Sequence, residues 1–166
     1  MKAHFERMAR YNHWANRRIY GAVAQLDDEE FHAPRSGYFP SLAKTLNHLV
    51  VTDRVWLGRF VGNLSDHKRL DETPYDDFTA LTAAREAEDQ RIIAFFKDLS
   101  QSRIDSVFDY KNMAGDPKSS EMLPVLAHFF NHQTHHRGQA HAMLSSTRVA
   151  PPSIDLVYFM AEDTGA

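Results

Sequence analysis

The residues in this chain best suited to chemistry are its histidines. There are ten among 166 residues, and five of them fall between His128 and His141. His128/His132 and His132/His136 are each spaced four apart, so on a helix each pair projects from one face, about 6 Å apart. Two imidazoles so placed can share one divalent ion, with metal–nitrogen bonds of about 2.0–2.1 Å for zinc. A helical wheel, advancing about 100° per residue, separates the two pairs. It puts His136 beside the apolar stripe marked by Met122, Phe129 and Ala140, puts His132 at the rim of that stripe, and turns His128 and His135 away. Two ligands from one helix make a weak site, and a third must come from elsewhere. His48, at the margin of the stripe on an earlier helix, is the candidate. Three neutral imidazoles with an open position are the pattern of a ligand-binding or catalytic metal site, not of a closed structural one. So histidine-rich a window also fits a mixture of exposed and hydrogen-bonded side chains.

Other chemistries can be set aside. Cysteine is absent, which excludes disulfides, thiolate metal sites, iron–sulfur clusters and a cysteine nucleophile. There is no HExxH, and the one ExxH, Glu29 to His32, falls in an expected loop, so neither a zincin helix nor a carboxylate-bridged di-iron bundle is indicated. No P-loop, dinucleotide fingerprint or GxSxG elbow is present. The net charge of −3 and pI near 6.3 argue against nucleic acid or an anionic membrane surface as partners. Mean hydropathy is −0.49, and no apolar run approaches the ~20 residues of a membrane span. The opening MKAHFERMARYNHW mixes charges into an amphipathic pattern with no secretory apolar core, so a cytoplasmic location is expected.

The length suits one domain over 1–166. Apolar periodicity predicts four long helices, from about Lys2 to Gln25, Ser41 to Val61, Asp77 to Leu99 and Glu121 to Ser146. Ser41 reads as an N-cap, and Gly62-Asn63 as a stop. The expected fold is all-α, a four-helix bundle with long crossover connections. The long crossing between the second and third helices leaves room for a topology other than simple up-down-up-down. Between the third and fourth helices, Ile104 to Tyr110 partly alternates and Asn112 to Asp116 reads as a turn, so a short strand pair is expected there. Ile154 to Met160 is apolar and is expected to pack back on the bundle. Gly138 reads as a close helix contact beside the histidines.

Polar residues interrupt the apolar faces. Asn12 and Asn16 on the first helix, Asp53 on the second and Arg85 and Asp89 on the third all fall inside their stripes. A buried polar group without a partner costs about 1–3 kcal/mol, so these groups bond to one another or line a polar cavity. Asn12, Asn16 and Asp53 are candidates for a hydrogen-bond network or for support of the metal site. Asp53 is the candidate partner for the second N–H of a metal-bound histidine. Arg85 and Asp89, one turn apart, read as a salt bridge at the edge of the face. Trp56 and Tyr158 are candidate pocket walls, and Trp14 a candidate dimer contact.

Several of these residues together resemble the DinB/YfiT-like family. They are Tyr11-Asn12-x-Trp14-Ala15-Asn16, Leu46-x-His48-Leu49 with Trp56-Leu57, His132-x-x-His135-His136-Arg137-Gly138-Gln139, and Pro151-Pro152-x-Ile154-Asp155-Leu156-x-Tyr158. The resemblance spans nearly the whole chain. It implies a four-helix bundle, commonly a homodimer, with a divalent metal, zinc or nickel, held by three histidines that map onto His48, His132 and His136. It also implies relatives that are S-transferases or isomerases using low-molecular-weight thiols such as bacillithiol or mycothiol. The expected function is a metal-dependent enzyme, a thiol transferase or hydrolase acting on a small molecule. The alternative is a non-catalytic metal- or small-molecule-binding dimer of a stress response. No base or nucleophile is assigned.

Overall fold

The computed structural model describes residues 1–163, so the last three residues of the expected 1–166 domain lie outside the described residues. In chain order the elements are α1 (Lys2–Val23), α2 (Asp28–His32), α3 (Leu42–Val61), α4 (Phe78–Asp98), α5 (Gln101–Ile104), β1 (Val107–Lys111), β2 (Pro117–Glu121), α6 (Met122–Leu144) and α7 (Leu156–Glu162). The long helices α1, α3, α4 and α6 are the four that periodicity predicts, within one or two residues at each end.

Their ends have physical causes. The Ser41 hydroxyl accepts from the Lys44 N–H at 3.2 Å, and the Asp77 carboxylate accepts from the Ala80 N–H at 2.6 Å. Each satisfies an otherwise unpaired donor of the first turn. α3 stops at Gly62, whose φ of 74° is the left-handed conformation glycine adopts without a Cβ penalty. The short helix α2 falls where a loop is expected. A reciprocal capping box between Asp27 and Glu30 holds it, and Phe31 is buried beneath it. The expected strand pair is present: β1 and β2 pair antiparallel from Val107 opposite Glu121 to Lys111 opposite Pro117.

α1 packs against α4 and α6, and α3 packs against the same two helices. The order around the bundle is therefore α1, α4, α3, α6. The long 62–77 connection joins neighbours, and the diagonal crossings are those from α1 to α3 and from α4 to α6. Non-sequential packing of this kind lets helices distant in sequence meet across the core. α7 packs on α1 through Phe159, whose ring lies 5.8 Å from both Tyr11 and Trp14. Trp14, expected as a dimer contact, is half-buried against α7 of its own chain, with its indole N–H on Glu162 at 2.8 Å.

The core is divided. One apolar cluster holds Ile19, Leu46, Leu81 and Leu144. The other holds Phe5, Phe60, Phe96 and Phe129. Every long helix places buried polar residues between the two: Asn12 and Asn16, Asp53, Arg85 and Asp89, then Gln133 and Arg137. A polar layer thus crosses the middle of the bundle, and the candidate histidines lie at the same level. Among the described residues no helix is long and apolar enough to cross a membrane.

Candidate metal centre

His48 comes from the middle of α3, and His132 and His136 from successive turns of α6, the helix α3 packs against. The ligand-capable nitrogens of the three lie within 4.8 Å of one another. Ring centroids are 4.4 Å apart for His48/His136, 5.2 Å for His48/His132 and 4.4 Å for His132/His136. Phe39, from the loop before α3, covers one side, its ring 4.4 Å from His48 and 5.7 Å from His136.

Two neighbours set the tautomers. His48 Nδ1 is 2.8 Å from the carbonyl oxygen of Leu70, an acceptor only, so Nδ1 carries the proton and donates. His136 Nδ1 likewise faces Gln139 Oε1 at 2.8 Å, because the Gln139 amide nitrogen is engaged with His135 Nε2 at 3.1 Å. In the neutral rings the Nε2 lone pairs are left pointing inward. The Nε2 atoms of His48 and His136 face each other at 3.2 Å. Burial, then the neighbouring imidazoles His136, His48, His128 and His135, hold His132 down at about 3. Burial, with His48 and His135, holds His136 at about 4 against the Gln139 hydrogen bond. Burial also lowers His48. All three are therefore neutral near neutral pH.

Converging lone pairs without a proton between them repel, and a cation removes the repulsion. The distance fits such a cation: two nitrogens each about 2.05 Å from one tetrahedral ion lie about 3.3 Å apart. The donor set suits zinc or another borderline divalent ion. Among the described residues no carboxylate or further imidazole completes the group.

The crossover that supplies Leu70 is itself braced. Glu72 accepts from the Lys68 and Arg69 N–H groups at 2.7 and 2.8 Å and meets His67 Nδ1 at 2.6 Å. These bonds, that from His67 foremost, hold its carboxyl down at about 2.

The other expected site residues divide. Asp53 does not orient a ligand imidazole. Its carboxylate is taken by Arg85, at 2.7 Å, and by the amide of Gln133. Asn12 and Asn16 do not touch the histidines either. Their amides donate to Asp89 at 3.4 and 3.0 Å, and their oxygens accept from Arg137 Nη1 at 2.5 and 3.2 Å. Arg85 and Asp89 form an ion pair of 2.9 Å, but in the core and not at its edge, with 3% and 1% exposure. All these groups face the α1 and α4 side of the bundle and bond to one another, with Arg85 Nε and Gln133 Oε1 left without a hydrogen-bond partner.

Trp56 lies half-buried one step outside the cluster, 5.4 Å from the ring of His128. Tyr158 is 51% exposed on α7, and no described contact ties it to the histidines. Gly138 is exposed, with open space where a Cβ would stand, so no close helix contact explains it. The residues missed by sequence reasoning are Leu70, Gln139, Gln133 and Arg137. Gln133 did carry a signal, since on the wheel it lies about 20° from Ala140 and about 40° from Phe129, inside the stripe.

Comparison with known proteins agrees with this geometry. Protein DinB of Bacillus subtilis (strain 168) is 30% identical over 161 residues, covering 92% of each chain. The model of the DinB family matches residues 1–164, and the chain belongs to that family.

Proposed function

We propose that this protein is a metal-dependent enzyme whose centre is His48, His132 and His136, acting on a small molecule as a thiol transferase or hydrolase. The observation that carries this is the set of three neutral imidazoles with converging nitrogens, two of them fixed by Leu70 and Gln139 and none, among the described residues, paired with a carboxylate. A divalent ion held there, zinc or nickel, supplies Lewis acidity that lowers the pKa of a thiol or a water molecule. The chain itself brings the three nitrogens together, holds the tautomers of His48 and His136 and keeps water off one side with Phe39. It contains no cysteine, so any sulfur chemistry uses a thiol brought in from solution, of the low-molecular-weight class exemplified by bacillithiol and mycothiol. We place the protein in the cytoplasm, as a homodimer of single-domain chains.

The test is metal analysis followed by cobalt substitution. Anaerobically purified protein should contain about one transition metal per chain, and His132→Ala should lose it. Small thiols should alter the visible cobalt spectrum, and conjugates should form with model electrophiles. Absence of stoichiometric metal, or unchanged metal content in His132→Ala, sinks the centre. An unresponsive cobalt spectrum with no conjugate sinks thiol transfer alone.

A further inference from the structure

A second cluster of chemistry-bearing residues lies further along α3. A cavity of about 230 Å³ opens between the C-terminal half of α3, the crossover around residues 64–68 and the β1–β2 turn. Arg59, His67, Lys68 and Lys111 line it, with Val55 and Leu64 as apolar wall, and among the described residues no carboxylate does. In a chain of net charge −3, three cations and no acid around one cavity is a local inversion of the average surface. Of the four, only His67 meets a carboxylate, that of Glu72 at 2.6 Å; Arg59, Lys68 and Lys111 form no ion pair among the described residues, and an anion would relieve the repulsion between them.

Arg59 is the best-formed element of this pocket. Its guanidinium stacks over Trp56 at 4.6 Å and over Tyr110 at 5.5 Å, and among the described residues it has no carboxylate partner. It is half-buried, and burial pushes it below its ordinary value. Two aromatic rings thus hold the planar fork in place while its N–H edges stay uncommitted. That is the arrangement suited to an acceptor with two oxygens, a carboxylate or a phosphate.

A chain of side-chain contacts links Arg59 of the pocket to the histidines. His132 is 5.9 Å from His128, His128 is 5.4 Å from Trp56, and Trp56 carries Arg59. Helix geometry agrees: His48 and Arg59 are eleven residues apart on α3, which is about 20° on the wheel and about 16 Å along the axis.

We propose that this pocket binds the anionic end of the small molecule whose reacting group sits at His48, His132 and His136. The substrate class is then an elongated molecule with a carboxylate or phosphate up to about 16 Å from its reacting atom. The link to a reacting group rests on the metal-dependent function proposed above, but the anion pocket itself does not.

The experiment uses Trp14→Phe protein, which leaves Trp56 as the sole tryptophan reporter. Metal-free and zinc-loaded forms are titrated with inorganic phosphate and with succinate at constant ionic strength. Saturable fluorescence changes are expected in both forms, and the tighter of the two probes identifies the anion. Arg59→Met should weaken binding about ten- to a hundredfold, the range for losing a charged hydrogen bond. Arg59→Lys should fall between, and Arg7→Met, an equal charge change at an exposed position on α1, should change nothing. No saturable binding, or equal effects of Arg59→Met and Arg7→Met, overturns the pocket.

The link to the centre is read on cobalt-loaded protein with ω-mercaptoalkanoates of increasing chain length. The cobalt spectrum should respond at lowest concentration to chains long enough to reach Arg59, and Arg59→Met should erase that preference. A response independent of length overturns the link. Failure of the parent protein to retain any metal overturns the metal centre, and anion binding by that same protein leaves the pocket standing.

Discussion

Acidifying the metal-free protein should destabilise it through the site histidines. In the unfolded chain each histidine titrates near 6.5, whereas in the fold His132 is held at about 3 and His136 at about 4. Below the unfolded value the unfolded chain takes up protons that the folded chain refuses. Stability is therefore fully present above about pH 6.5 and falls with pH until the folded values are reached. About pH 5 lies about 1.5 units below the unfolded value and still above both folded values, which at about 1.36 kcal/mol per unit gives about 2 kcal/mol each. His132 is part-exposed, which brings the pair to about 3–4 kcal/mol, a large share of the usual 5–15 kcal/mol of a domain. His48 is shifted in the same direction. His13 is raised by its bond to Asp89. Its stabilisation is complete below about pH 6.5 and is lost as pH rises above that, so it adds slope only at the upper end of this window and in the opposite sense. Burial raises the Asp53 carboxyl and opposes the trend, so the decisive quantity is a difference between parent and variant. Urea unfolding with a chelator present, at steps from about pH 7 to 5, should show His132→Gln losing about 1–2 kcal/mol of the parent's pH dependence. Superimposable pH profiles for parent and variant would refute the reasoning.

Other perturbations test other parts of the site. Gln139→Leu should lower zinc affinity about ten- to a hundredfold, because it removes the acceptor that fixes His136; competition with a chromophoric chelator measures this, and helical circular dichroism should be unchanged. Asp53→Ala should cost about 3–5 kcal/mol in urea unfolding, because it leaves the Arg85 charge in the core with half its counter-charge. Gly138→Ala should raise stability by about 0.5–1 kcal/mol, because the position is helical and exposed and its Cβ meets nothing.

Helix positions were legible in the sequence because burial on one face imposes a 3.6-residue period, and Ser41, Asp77 and Gly62 mark ends by local chemistry. The order of helices around the bundle was not legible. Nothing in the spacing of Leu46 or Phe129 says which neighbour covers it, so the diagonal crossings appear only in the fold. The site was legible in part for the same reason. His132 and His136 lie within one helix, and the wheel places them without tertiary knowledge. His48 could be nominated only as a marginal position on another stripe. Leu70 could not be found at all, because its contribution is a backbone carbonyl presented by an irregular crossover, and any residue type would supply it.

The misplacement of Asp53 shows what wheel reasoning leaves undecided. A polar residue inside an apolar stripe must find a partner, but the wheel does not say on which neighbouring helix. Here α6 is polar on two adjacent faces. His132 and His136 turn towards α3 and the outer loops, while Gln133 and Arg137, each one residue later and about 100° round, turn into the bundle. Gln133 binds Asp53 of α3, and Arg137 binds Asn12 and Asn16 of α1. Turning α6 about its axis, or sliding it by one residue, would strand those buried donors at about 1–3 kcal/mol each. Apolar contacts such as Leu126 and Phe129 could repack at smaller cost. The buried polar layer therefore fixes the rotation and register of α6, and with them the direction in which both imidazoles point. Asp53 and the two asparagines support the centre by this route, through the helix that carries its ligands and without touching an imidazole.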